Sequence, residues 1–107
     1  MSTDAIGARA EIVARRLRDA GYAAEVIDGF STIGGGSAPG SELRTRLIAI
    51  GVPGLSPDAL EAKLRGLDPP VIARIEDNRV LLDLRTVAVE DDEELATRLR
   101  RVAPVLN

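Results

Sequence analysis

"PPVIARIEDNRVLLDLRTV", residues 69–87, decides the fold. Two runs rich in Val, Ile and Leu flank Asp77-Asn78, a pair suited to the two-residue primed turn of a β-hairpin. If Glu76 faces Arg79, then Ile75 pairs with Val80, Ala73 with Leu82 and Val71 with Leu84. One face of the hairpin is then wholly apolar. The other carries Ile72, Arg74, Glu76, Leu81, Asp83 and Arg85. A slip of one residue would send Arg and Asp into the core, so the pattern fixes the register. Arg74 lies diagonal to Asp83, within reach of a cross-strand pair. The register assigns Arg85 no carboxylate. It is expected either to aim its guanidinium outside the sheet or to pair with Glu90 or Asp83.

Upstream of the hairpin, Ser56 reads as a helix N-cap, with Pro57 at the first helical position and Leu55 placed to staple onto Leu60. Leu60, Leu64 and Leu67 form that helix's apolar stripe, and Lys63 falls on its flank. Downstream, Asp91-x-x-Glu94 reads as a capping box opening a last helix that buries Leu95, Leu99 and Val102. At the start of the chain, residues 3–20 place Ile6, Ala10, Val13, Leu17 and Ala20 on one helical stripe that stops at Gly21. Residues 22–28 and 43–50 read as strands. The order is αββαββα: one α+β domain over residues 1–107, with a mostly antiparallel four-stranded sheet and helices on one face.

Composition removes several function classes. The chain has 107 residues, no Cys and no His, which excludes a thiol nucleophile, a disulfide framework, an imidazole or thiolate zinc site and a histidine base. A net charge of −3 gives no bulk basic footprint, and one Phe, one Tyr and no Trp leave little on which to stack bases. No apolar run reaches membrane-spanning length. Cysteine absence fits a cytoplasmic location. The carboxylates fall in caps and turns, no nucleophile–base–orienter set is visible, and no metal-ligating set is expected.

The remaining oddity is "STIGGGSAPG", residues 31–40. Three glycines in a row cost conformational entropy. No Gly-Lys-Ser/Thr follows, so this is not a P-loop, and a strand rather than a helix comes next, so it is not a dinucleotide fingerprint. As a long connection it reads either as a flexible linker or as a functional loop, in which the amides of Gly34, Gly35, Gly36 and Ser37 would form an anion-binding nest.

From Glu25 to about Arg100, the chain resembles the C-terminal region of bacterial L-seryl-tRNA(Sec) selenium transferases, also called selenocysteine synthases. That family carries Ser-x-Ile-Gly-Gly-Gly-Ser followed by Pro, here "STIGGGSAP" (31–39). It then carries a helix ending in Leu-Arg, "PPVI-x-RI", an acidic turn and "LDLRT", here "LEAKLRGLDPPVIARIEDNRVLLDLRTV" (60–87). One departure is Arg44, where the family usually has Pro after "EL". The resemblance implies a fold-type-I pyridoxal-phosphate enzyme, of which this chain would be the small C-terminal domain. The Schiff-base lysine would lie upstream, and Lys63 matches no cofactor motif. Such an enzyme converts seryl-tRNA(Sec) to selenocysteinyl-tRNA(Sec), taking selenium from selenophosphate. By analogy with related small domains, Ser31, Gly34, Gly35, Gly36, Ser37 and Arg85 would edge the substrate entrance. In that position Arg85 would meet a phosphate of selenophosphate or of the tRNA end. The partners implied are the enzyme's own large domain, the tRNA, selenophosphate and further copies of the full-length enzyme. tRNA recognition would rest mainly on an N-terminal region. By itself this chain is expected to be a monomer, without cofactor and inactive. Two other readings share the fold: the small domain of a paralogous pyridoxal-phosphate lyase that does not use tRNA, and a stand-alone αββαββα binding module.

Overall fold

The structure, a computed structural model, describes residues 2–31 and 43–102. The first helix, α1 (Thr3–Asp19), starts at Ser2, whose hydroxyl accepts a hydrogen bond from the Ala5 amide at 3.1 Å. It ends in a Schellman motif. Gly21 adopts a positive φ of 102°, its amide donates to Arg18 O, and the Tyr22 amide donates to Leu17 O. Reversing the chain so sharply requires the left-handed conformation that glycine supplies cheaply. Two nine-residue strands follow, β1 (Ala23–Ser31) and β2 (Leu43–Gly51), paired antiparallel from Ala23↔Gly51 to Ser31↔Leu43. The first runs further than its weak alternation suggests.

The second helix, α2 (Pro57–Arg65), begins as expected, with the Ser56 hydroxyl accepting from the Ala59 amide at 3.1 Å and proline in the first turn. The hairpin then forms from β3 (Arg74–Glu76) and β4 (Arg79–Leu82). Asp77 and Asn78 have φ of 52° and 62°, the two positive values of a type I′ turn. Glu76 faces Arg79 and Ile75 faces Val80, in the register expected.

The ladder is shorter than the sequence suggests. Ala73–Leu82 and Val71–Leu84 do not pair, because pairing ends at Arg74↔Leu81. Instead, the Val71 amide donates to Leu64 O at the end of α2. On the other side, β4 turns to β2, pairing Ile48↔Leu82 and Ile50↔Val80. Beyond Leu82 the strand stops altogether. Asp83 Oδ1 accepts from the Arg85 amide at 3.0 Å, and residues Leu84–Thr86 wind into a 3-10 turn. Arg74 meets Glu76 at 2.6 Å and the Phe30 carbonyl, not Asp83. A second 3-10 turn, Val89–Asp91, precedes α3 (Asp92–Arg100). The expected Asp91–Glu94 capping box does not form: Asp91 makes no side-chain cap bond, and Glu94 pairs with Arg98 at 2.9 Å.

The sheet order is β1-β2-β4-β3. Alternation sorts its residues onto two faces. Ile48, Ile50, Val80 and Leu82 join Ile6, Val13 and Leu17 of α1, Leu60 and Leu64 of α2, and Leu95 and Leu99 of α3 in one core. Leu47, Ala49 and Leu81 form a smaller cluster on the opposite face, with Ile27 packed against it. Leu81, on the hairpin face that also carries Arg74 and Glu76, is thus buried against β2.

Two long-range contacts tie the ends of the domain together. Arg9 of α1 grips both oxygens of Asp92, each at 2.7 Å, and donates to the carbonyls of Leu84 and Val87 at 2.9 and 2.6 Å. Tyr22 donates its hydroxyl proton to Leu99 O at 2.6 Å, and burial pushes its pKa up from 10.0 to about 12.

Candidate functional site

The β1–β2 pair determines where the glycine-rich segment starts and returns. Ser31, 1% exposed, lies opposite Leu43, so the two ends of residues 32–42 meet on a single paired rung. Two rungs further in, Thr45 lies opposite Gly29. Gly29 has a packing role here: a Cβ built on it would lie 2.4 Å from Leu47 Cδ1, so a side chain at that point would require the buried Leu47 side chain to shift.

Arg85 reaches the same place from the 3-10 turn. Its Nε donates to Thr45 Oγ1 at 2.9 Å and its Nη2 to the Arg44 carbonyl at 3.0 Å. This corrects the sequence expectation. Arg85 lies on a turn rather than on a strand face, and its partners on β2 are a hydroxyl and a backbone carbonyl rather than Glu90 or Asp83. Its own amide is held by Asp83 Oδ1, and Thr86 Oγ1 donates to the Asp83 carbonyl at 2.6 Å. The sequence Asp-Leu-Arg-Thr therefore builds a capped turn that aims the arginine at the start of β2. Ser31 and Arg85, two of the residues singled out from sequence, thus converge on the root of one loop. Gly34, Gly35, Gly36 and Ser37 lie outside the described residues.

Thr45 and Asp83 were missed as parts of this arrangement. Asp83 carried a readable signal, since an Asp two residues ahead of an amide it can accept is an Asx-turn pattern. Thr45 carried none, because a half-buried arginine forty residues away leaves no local mark.

Pyridoxal phosphate does not fit the described residues on their own. A Schiff base to that cofactor needs a lysine, and the chain's single lysine, Lys63, is exposed on α2. Among the described residues, no group of three or more acidic side chains is arranged to hold a metal ion. None of their helices is long and apolar enough to cross a membrane.

Fold and site together define a small α+β domain in which a buried serine ends β1 and an arginine from a neighbouring turn holds the start of β2, on either side of residues 32–42. The chain belongs to the L-seryl-tRNA selenium transferase family, whose profile matches residues 1–88. It is 42% identical over 106 residues to a Geobacter sulfurreducens protein named L-seryl-tRNA(Sec) selenium transferase, covering 95% of this chain and 23% of that relative. A protein of the same name from Solidesulfovibrio magneticus is 43% identical over 112 residues, covering 98% of this chain and 22% of the relative. Another, from Alkaliphilus metalliredigens, is 35% identical over 102 residues, covering 94% and 22%. The chain thus spans less than a quarter of the length of these curated relatives.

Proposed function

We propose that this chain is the C-terminal small domain of an L-seryl-tRNA(Sec) selenium transferase, the enzyme that makes selenocysteinyl-tRNA(Sec) from seryl-tRNA(Sec) and selenophosphate. The observation that carries this reading is the 42% identity across 95% of the chain to a relative that bears that name and is four times as long. The large domain of the whole protein supplies the pyridoxal phosphate and its lysine, the tRNA-recognition region lies elsewhere, and the enzyme works in the cytoplasm as a homo-oligomer. In that setting the glycine-rich segment, with Ser31, Gly34, Gly35, Gly36 and Ser37, edges the substrate entrance. Arg85 fixes the root of the segment and places positive charge near the phosphate of selenophosphate or of the tRNA end. Two of its nitrogens already serve β2, so its part is bracing and long-range attraction rather than a free two-pronged grip.

A chimera tests the reading. The corresponding segment of the Geobacter sulfurreducens relative is replaced by this chain, and conversion of seryl-tRNA(Sec) to selenocysteinyl-tRNA(Sec) is measured. The chimera is expected to be active. In the same background, Gly35→Val is expected to lower kcat at least tenfold with little change in melting temperature. A folded chimera without transfer overturns the family function for this segment, and a fully active Gly35→Val chimera overturns the role of the loop. Pyridoxal phosphate added to the 107-residue chain alone is expected to give no single borohydride-fixed adduct. A specific adduct at Lys63 would contradict the placement of the cofactor lysine elsewhere.

A further inference from the structure

Composition leaves this chain a single phenylalanine, and the fold puts it at the surface. Phe30 is 50% exposed near the end of β1, beside a cleft of about 390 Å³ that is also lined by Thr3, Asp28, Arg44 and Arg46. One exposed ring by itself needs no explanation. Its surroundings do.

Directly across the ladder from Phe30 stands Arg44, whose exposed guanidinium has no hydrogen bond or ion pair among the described residues. Opposite residues on antiparallel strands hold their Cβ atoms about 4.5–5.5 Å apart, so ring and guanidinium flank the same bound molecule. The next rung on this face is Asp28↔Arg46, joined by an ion pair at 2.7 Å. Two cations thus meet one carboxylate along the cleft, a local excess of positive charge in a chain of net charge −3. The Arg46 stem lies on α1 at Gly7, where a Cβ would come within 3.2 Å of its Cγ. The Phe30–Arg44 rung is also clamped from outside the ladder. Arg74 donates to the Phe30 carbonyl, and Arg85 donates to the Arg44 carbonyl. Both side chains therefore project from fixed points, which lowers the ordering cost of binding.

We infer that this cleft binds a nucleotide: the base stacks on the exposed ring of Phe30, and the phosphate lies against Arg44 with Arg46 adding charge. A flat apolar face beside an unengaged guanidinium matches a base joined to a phosphate. Stacking accepts any base, and arginine can grip two phosphate oxygens at once. The volume falls in the range of about 300–1,000 Å³ that takes a small organic ligand. The inference stands apart from the selenium-transfer reading: it needs only the cleft, and an inactive chimera would leave it intact. The same chemistry has two sources, a free mononucleotide or the terminal nucleotide of an RNA strand.

The test is a titration of the 107-residue chain, followed by the Phe30 ring protons and the amide resonances of Gly29 and Arg46. The probes are AMP, adenosine, ribose 5-phosphate and the ribotrinucleotide ApApA. AMP is expected to bind saturably with a roughly millimolar dissociation constant and to shift the ring protons upfield, as a base stacked above them would. Ribose 5-phosphate lacks the base and adenosine lacks the phosphate, and each is expected to bind at least fivefold more weakly. Phe30→Leu keeps an apolar side chain without the ring and is expected to weaken AMP binding at least fivefold, whereas Phe30→Trp is expected to retain it. Arg44→Gln keeps the carbonyl that Arg85 uses, and is expected to weaken AMP but not adenosine. It also serves if Phe30→Leu fails to fold. Tighter binding of ApApA than of AMP assigns the site to an RNA strand, and equal or weaker binding assigns it to a free nucleotide. Absence of saturable shifts, equal binding of ribose 5-phosphate and AMP, or unchanged AMP binding in a folded Phe30→Leu or Arg44→Gln variant overturns the inference.

Discussion

Tyr22 illustrates how one residue can carry a pH dependence. Its phenol is buried against α3 and donates to Leu99 O, so the charged phenolate is strongly disfavoured in the folded chain. Because the folded pKa, about 12, lies above the ordinary value of 10.0, the folded state holds its proton where the unfolded state has lost it. The contribution of Tyr22 to stability is therefore fully present below pH 10. It declines as pH rises from 10 toward 12, by at most about 1.4 kcal/mol per pH unit. Urea midpoints measured between pH 9 and 11.5 are expected to show that decline, and Tyr22→Phe is expected to flatten this component of it. The same variant removes one donor from the Leu99 carbonyl, which keeps the Val102 amide, and is expected to cost about 0.5–1.5 kcal/mol at neutral pH. A wild-type profile no steeper than that of the variant would show that the phenol does not titrate with unfolding.

At the scale of elements, the hairpin is governed by its turn. Asp77 and Asn78 both occupy the left-handed region, which β-branched residues enter only with strain. Asp77→Val is expected to destabilise the chain by about 1–2 kcal/mol. Asn78→Gly, which relieves the same constraint, is expected to be neutral or stabilising by up to about 1 kcal/mol. Denaturant midpoints of the two variants should therefore move in opposite directions, or the second not at all. The turn, the Glu76–Arg79 and Ile75–Val80 rungs, the Ser56 cap and the stop at Gly21 were all legible in the sequence because each depends on residues a few positions apart. What was not legible lay further away. The Val71–Leu84 rung failed because the end of α2 claimed the Val71 amide and Asp83 turned the chain after β4. The capping box failed because Glu94 found Arg98 one turn on, a competition that the Asp-x-x-Glu pattern does not reveal. At the candidate site, Ser31 was singled out for its neighbours in the chain. Arg85 was singled out for its apparent lack of a partner, and the structure supplied one on β2. A backbone carbonyl such as that of Arg44 has no residue signature, so no pattern could have announced it.

On the scale of the whole molecule, one arginine joins three parts of the chain. Arg9 is 10% exposed at its side chain and bonds the carboxylate of Asp92 and the carbonyls of Leu84 and Val87 at once. Arg9→Ala leaves the Asp92 carboxylate without its cation and removes a donor from the Leu84 and Val87 carbonyls, the first of which keeps the Val87 amide, and is expected to cost about 3–5 kcal/mol. Arg9→Lys keeps the charge but not the planar fork, and is expected to cost about 1–3 kcal/mol. Chemical denaturation checks both. A loss below about 1 kcal/mol for the alanine variant would mean that water replaces the guanidinium at little cost.

The closure of α1 onto α3 also bears on how the chain matures during synthesis. Arg9 and Asp92 are 83 positions apart, and Tyr22 and Leu99 are 77. The first helix leaves the ribosome long before its cover exists. While the polypeptide is still growing, the apolar stripe of α1 has mainly the sheet to shelter it. Contacts of such wide sequence separation form late, since the intervening chain must be ordered before they are rewarded. A nascent chain arrested before α3 clears the exit tunnel should thus be open to proteases and holdase chaperones along α1, and release of one further helix should close it.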